Sequence, residues 1–270
     1  MTQQIWPSRI LLFTTFGIYA FLYPSSIILL ILDAVPPNSQ WIASLLLILE
    51  GMVATSWLGL NYGYARALAV ATVLLSGAFG FEAIGVASGF PFGSYVYTAE
   101  LTPQMLNVPI AISFAWLMIV VASYFTVRLL YSHLGSFVVI GLSVTLAVLS
   151  DFLMEPVAVY VQKYWIWQAG GFYYGVPLSN FVAWFVIGLI LMTLLSLLLG
   201  DLKKVVLPMR FQYPYLPLAL FLMNLVMFGS ISLSHGYWWA GAISLSVGLV
   251  ITVSQLKYNK LKLSQEKSFI

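Results

Sequence analysis

Two carboxylates, Asp151 and Glu155, stand four residues apart near the end of a long apolar run, AVLSDFLMEPVAVY at 147–160. Spacing of four puts both on one face of a helix, and a charge held in hydrocarbon is costly enough that such residues usually serve a function. Two carboxylates within ~6 Å of each other in a poorly hydrated site do not both ionise readily, so one proton is retained near neutral pH. An acid that keeps its proton in an apolar pocket is a general acid. Its ionised partner can orient water or stabilise positive charge. The chemistry implied is proton transfer to something that lives inside a membrane.

The elements that must position this pair are membrane spans. The chain has 270 residues, 61% of them hydrophobic and 7% charged, against roughly 25% charged in soluble domains. Apolar runs of about 20 residues recur along its whole length. The expected fold is all-α: one polytopic transmembrane helix bundle over 1–270, with its motif-bearing middle at 65–200. Eight spans are placed at about 10–32, 41–60, 65–88, 107–128, 134–156, 177–199, 214–233 and 237–256. The start MTQQIWPSRILLFTTF carries a span-length run without a convincing cleavage site, so a retained first helix is expected. With this count Arg9, Arg66, Arg128, Lys203, Lys204, Arg210, Lys257, Lys260, Lys262 and Lys267 fall on one side and Lys163 alone on the other. That asymmetry predicts both termini in the cytoplasm. The net charge of +3 reflects this orientation, and no nucleic-acid partner is implied. The Lys-rich tail after Gln255 reads as an inner-face anchor.

Depth follows from a helical rise of ~1.5 Å per residue. Glu82 and Asp151 each lie 17 residues beyond the inner start of their helix, at Ala65 and Leu134. Both therefore sit at ~25 Å, in the outer part of a ~30 Å core. Glu155 is one turn further out, and Asn180 and Trp184 open the sixth helix on the same side. Two outer connections, SGFPFGSYVYTAE (88–100) and QAGGFYYGVPLSN (168–180), share a Gly-Phe-x-aromatic-Gly core. Trp165, Trp167, Tyr173 and Tyr174 suit an interfacial aromatic belt, and the two Trp are assigned to it. Glu50 lies deeper, near mid-membrane, and reads either as a protonated packing residue or as a functional one. Asn224 reads as interhelical glue.

Several chemistries are excluded. Zero cysteines remove disulfides, thiolate metal sites and cysteine nucleophiles. The two histidines, His133 and His235, are predicted at opposite ends of the bundle, too few and too far apart for a membrane di-iron centre. No lysine lies within a span to form a retinal Schiff base. Asp33, Asp151 and Asp201 are too scattered to hold Mg²⁺-diphosphate, and no glycine pattern supports a dinucleotide fold. The expected chemistry uses neither metal nor cofactor.

At these same residues the sequence resembles the membrane carotenoid hydratases of the bacterioruberin and γ-carotene type, the CruF-like family. The resemblance is carried by FEAIGVASGFPFGSYVYT (81–98), SDFLMEPVA (150–158) and WIWQAGGFYYGVPLSNFVAW (165–184), from the third helix to the sixth. It departs from the family pattern at Ser88-Gly89, where Thr-Gly is expected, and at Glu155-Pro156, where Asp more often precedes the proline. The resemblance implies cofactor-free addition of water to the terminal double bond of an acyclic carotenoid such as lycopene or γ-carotene, giving a tertiary alcohol. Asp151 is then the expected proton donor, with Glu82 the alternative, and Glu155 holds Asp151 protonated and delivers water. Asn180 and Tyr174 orient water or acid, while the faces of Tyr95, Tyr174 and Trp184 stabilise a carbocation. Gly89, Pro91, Gly93, Gly175 and Pro177 shape the two loops over the end group. The implied setting is a bacterial cytoplasmic or thylakoid membrane, with downstream carotenoid-modifying enzymes as partners. A membrane lycopene-type cyclase shares the first protonation and stays open as the alternative. A proton-coupled transporter or a lipid-binding protein is the third reading.

Overall fold

The computed structural model describes residues 5–200 and 211–268. Among these, eight helices are long and apolar enough to cross a membrane: α1 (Ile5–Ile31), α2 (Trp41–Tyr62), α3 (Tyr64–Ser88), α4 (Ile110–Leu130), α5 (Ser136–Pro156), α6 (Leu178–Leu199), α7 (Leu216–Ser234) and α8 (Trp238–Ser268). They match the eight expected spans in number and order. The chain is thus an all-α polytopic bundle. Lys203, Lys204 and Arg210, assigned above to the inner side, lie outside the described residues, as does Asp201.

Helix α4 is the central post. It packs against α2, α3, α5, α6 and α7, and every residue from Ala115 to Leu130 is buried. A helix apolar all round has no solvated face to offer, so it belongs in the interior. Helix α1, at the other extreme, leaves most of its side chains facing outward and docks on α2 and α7.

Hydrogen bonds at the two ends of the bundle agree with alternating up-and-down spans. At one end Arg9 Nη2 donates to Gln212 Oε1 at 2.7 Å, Asn61 Nδ2 donates to the Gln212 carbonyl, and Tyr131 Oη lies 2.6 Å from Ser254 Oγ. Arg128, at this end, is buried, with Nη2 donating to Ser136 Oγ at 3.0 Å. At the opposite end His235 Nε2 lies 3.1 Å from Asp33 Oδ1, and Thr98 Oγ1 donates to the Lys163 carbonyl at 2.6 Å.

Two boundaries differ from the sequence reading, each for a local reason. Helix α4 begins at Ile110 rather than near 107, because 104–109 forms a tight hairpin. Strands β2 (Gln104–Met105) and β3 (Val108–Pro109) pair around Leu106 and Asn107 at φ +52° and +62°. Two consecutive positive φ values are what a two-residue hairpin turn needs. Helix α5 does not stop at Pro156. Proline has no N–H to continue the α-helical ladder, and the chain widens into one π-helical turn, Val157–Val161, closed by Gln162 N donating to the Val157 carbonyl at 2.8 Å.

The connections at this second end also hold a feature absent from the sequence reading. Strand β1 (Tyr95–Tyr97) pairs antiparallel with β4 (Trp165–Trp167), in the register Tyr95↔Trp167, Val96↔Ile166, Tyr97↔Trp165. Alternate side chains of a strand point to opposite faces. All four rings therefore turn toward the helices, and Val96 and Ile166 turn out, 41% and 54% exposed.

Candidate active site

Under this ribbon, α3, α4, α5 and α6 converge on a cavity of about 80 Å³. Glu82, Asp151, Glu155 and Asn180 all line it and are all buried. Glu82 on α3 and Asp151 on α5, expected from the sequence at equal depth, both line this one cavity.

Each carboxylate has a different set of partners. Glu82 is saturated: Tyr95 Oη and Tyr97 Oη donate to Oε2 at 2.6 and 2.9 Å, and Trp116 Nε1 donates to Oε1 at 3.0 Å. Glu155 also accepts three bonds. Trp165 Nε1 and Trp167 Nε1 donate to Oε2 at 3.1 and 3.0 Å, and Asn180 Nδ2 donates to Oε1 at 2.9 Å. Asp151 receives one, from Asn180 Nδ2 to Oδ2 at 2.8 Å. The amide of Asn180 thus bridges Asp151 and Glu155, which the four-residue spacing puts on one face. Among the described residues, no lysine or arginine lines the cavity.

The local sequence accounts for how these groups arrive. Pro177 precedes α6 with extended backbone, and the Asn180 N–H donates to its carbonyl at 3.1 Å, so Asn180 sits in the first turn facing α5. Gly93 sits at φ +115°, and a Cβ there would meet Pro177 Cγ and Ser179 Oγ at 3.2 Å. Only glycine adopts that backbone without strain while letting the two loops touch. Ser179 Oγ donates to the Phe92 carbonyl at 2.7 Å across the same junction. On α3, a Cβ on Gly85 would lie 2.6 Å from Phe92 Cδ2 and 3.0 Å from Tyr95 Oη, so this glycine admits the ring that reaches Glu82. Gly89 and Gly175 lie at φ +76° and +73°, and Phe90–Pro91 is cis.

The phenols are fixed as donors. Burial first, and the adjacent Glu82 carboxylate second, push the Tyr95 and Tyr97 hydroxyls well above the ordinary tyrosine range. Trp116 and Trp184 stack at 3.9 Å between centroids with a 21° interplanar angle, forming an aromatic wall of the cavity.

Some residues come out differently from the sequence reading. Trp165 and Trp167, assigned to an interfacial belt, donate to Glu155, because pairing with β1 turns both rings inward. Tyr174 does not line the cavity. Its hydroxyl accepts from the Trp239 N–H at 3.1 Å and its carbonyl accepts from Tyr160 Oη, so it ties loop to loop. Glu50 is separate as well: Tyr19 Oη donates to its Oε1 at 2.6 Å, and it lines a second cavity with Asn224. Asn224 Oδ1 has no protein partner among the described residues, so the interhelical bond expected of it is not made by that oxygen.

Tyr97 and Trp116 join the site without having been expected there. The aromatic-x-aromatic patterns YVY and WIW carry a strand signal for Tyr97, Trp165 and Trp167. Trp116, one ring in an apolar helix, carries none.

What the arrangement offers is proton chemistry. Among the described residues, no group of three His, Asp or Glu side chains is placed to hold a metal ion. The oxygens of Glu82 and Glu155 face N–H and O–H donors, which is the wrong complement for a cation. Three buried carboxyl groups with no cation in their wall cannot all carry charge.

Comparison with known proteins agrees with the resemblance seen in the motifs. The sequence model of a family described as carotenoid biosynthesis protein matches residues 42–251. The bisanhydrobacterioruberin hydratase of Haloarcula japonica is 33% identical over 113 residues. That match covers 41% of this chain and 38% of the archaeal protein, so the chain spans well under half the length of that relative. No solved structure matches it. With the family match running from α2 into α8, the chain belongs to the carotenoid biosynthesis protein family.

Proposed function

We propose that this protein adds water to the terminal double bond of an acyclic carotenoid, without metal or cofactor, to give a tertiary alcohol. The observation that carries the reading is the donor count around the three carboxyl groups. Hydrogen-bond donors favour the ionised form. Glu82 and Glu155 have three each and Asp151 has one, so Asp151 is the group that keeps the proton. The archaeal relative's description as a hydratase supports the same activity.

In the proposed reaction Asp151 transfers its proton to the less substituted carbon of the trisubstituted alkene. The π electrons form the new C–H bond and leave a tertiary cation on the neighbouring carbon. The anions of Glu155 and Glu82 and the faces of Trp184, Trp116 and Tyr95 stabilise it. A water molecule attacks the cation, and the proton it sheds returns to the Asp151 carboxylate, restoring the acid. Asn180 holds Asp151 and Glu155 in register, and Gly89, Pro91, Gly93, Gly175 and Pro177 set the loops over the end group. Tyr174 acts one layer further out, through its loop contacts. The protein works in a bacterial cytoplasmic or thylakoid membrane with both termini in the cytoplasm and the site in the outer half, as one domain over 1–270. Carotenoid-modifying enzymes consume the alcohol.

Incubation of the purified protein in detergent with lycopene or γ-carotene, with no metal or nucleotide added, tests this by mass spectrometry. A product heavier by one water is expected. An isomer of unchanged mass identifies a cyclase instead, because the same cation has then been captured by an internal alkene.

A further inference from the structure

A second cavity, of about 480 Å³, runs beside the first. Leu47, Tyr164 and Phe228 line both, so a single layer of side chains separates the two. One end of the larger cavity lies among outer connections, with Ser39, Gln40, Glu100, Gln162 and Lys163 in its wall, and it extends inward to Glu50 and Asn224.

Two atoms at that inner end lack partners. Glu50 Oε2 and Asn224 Oδ1 are buried and, among the described residues, have no protein hydrogen bond. Their side chains belong to residues only 3% and 4% exposed. Buried polar oxygens are ordinarily satisfied by protein or by ordered water. A lipid tail in this space would satisfy neither, whereas water satisfies both. One water needs only about 10–15 Å³ of such space, so the cavity accommodates a connected file of them. The reaction cavity, in turn, is roofed by the inward rings of Tyr95, Tyr97, Trp165 and Trp167. Hydration consumes one water per turnover, and that water must come from beside the site.

We infer that the second cavity is a water vestibule, which feeds the reaction cavity past Leu47, Tyr164 and Phe228 and in which Glu50 and Asn224 hold the innermost waters. The inference rests on the hydration reading above. It makes Glu50 and Asn224 positioning residues for the nucleophile, acting on the fate of the cation and not on its formation.

The test separates those two steps. In D₂O the acid delivers a deuteron. With protein in excess over carotenoid, a cation that is not captured loses a proton from an adjacent carbon to the carboxylate, and the recovered alkene carries the one deuterium that the acid took up before substrate bound. Hydrated product and deuterated substrate are both read by mass spectrometry from one incubation. Filling the vestibule with Ala43→Phe, or removing its inner acceptor with Asn224→Leu, is expected to lower the ratio of hydration to exchange by about tenfold or more. Leu245→Ala, on an exposed face of α8 away from both cavities, keeps the wild-type ratio. Continued exchange in a variant proves that it is folded and protonating, so a loss of hydration alone is not a folding defect. An unchanged ratio in both exchanging variants, or a change only in the KM for carotenoid, overturns the vestibule while leaving the proposed function intact. Wild-type protein that neither hydrates nor exchanges overturns both.

Discussion

Asp151→Asn separates the acid from the scaffold. The side chain it replaces makes one protein hydrogen bond among the described residues, from Asn180 Nδ2 to Oδ2 at 2.8 Å. The carbonyl oxygen of the substituted amide accepts that same bond, and its nitrogen takes the place of an oxygen to which no protein donor points. The stability change is therefore expected to stay under about 1 kcal/mol. The amide has no proton to give. Loss of a positioned general acid lowers the rate about 10²–10⁴-fold, equivalent to about 3–5 kcal/mol of barrier. The assay is the initial rate of hydrated carotenoid formation in D₂O, read by liquid chromatography and mass spectrometry, beside a thermal unfolding curve in the same detergent. Hydration and deuterium exchange should fall together while the unfolding midpoint stays put. If Asp151→Asn keeps more than about a tenth of wild-type hydration, Asp151 is not the donor and the argument from donor counts is wrong.

Further expectations come from the hydrogen-bond partners of single residues. Glu82→Gln replaces one acceptor oxygen by a nitrogen that must face either Trp116 Nε1 or the two tyrosine hydroxyls. One buried donor is then unmatched, and thermal or denaturant unfolding should show a loss of about 1–3 kcal/mol. Trp167→Phe keeps the ring against Tyr95 but deletes the 3.0 Å bond to Glu155. A hydrogen bond to a charged group contributes about 1.5–3 kcal/mol, and losing it from ionised Glu155 shifts the shared proton away from Asp151, so kcat should fall by up to about 10- to 100-fold with KM little changed, measured on lycopene. His235 supplies a pH dependence. Burial pulls its pKa down, but the hydrogen bond and charge of Asp33 and the Ile231 carbonyl outweigh it and raise the group above its ordinary value. A raised value in the folded state makes the stabilisation complete below about pH 6.5 and removes it as pH climbs through the folded-state value. The gap in melting temperature between wild type and His235→Gln should therefore be small, largest in mild acid and closed in alkali.

Much of this architecture is legible in the sequence because lipid imposes a length. Repeated runs near 20 apolar residues fit a bilayer and little else, and the skew of basic residues checks the count. Helical rise then converts residue number into depth, which puts Glu82 on α3 and Asp151 on α5 at one level. The i, i+4 spacing likewise places Asp151 and Glu155 on a shared face, though it does not reveal that one amide bridges them. What the sequence hides depends on contacts distant in the chain. Trp165 and Trp167 look like interfacial residues until β1, paired as Tyr97↔Trp165 and Tyr95↔Trp167, turns them inward. Trp116 has no local signature, since an indole in an apolar helix is ordinary until its N–H finds Glu82. Tyr174 suggests a positioning group by its neighbourhood in sequence, but its αL backbone at φ +45° carries it into the contacts with Tyr160 and Trp239. The start of α4 shifts by three residues because a two-residue turn with Leu106 at positive φ is not what leucine advertises.

The antiparallel ribbon implies a rule of drift for other chains of this kind. Positions 95, 97, 165 and 167 look onto the acids, whereas 96 and 166 look away. Substitutions should accumulate at the two outward positions and be resisted at the four inward ones. Two three-letter words separated by a long stretch of chain should therefore vary together, a change to an inward letter of one being expected alongside a matching change in its paired letter in the other.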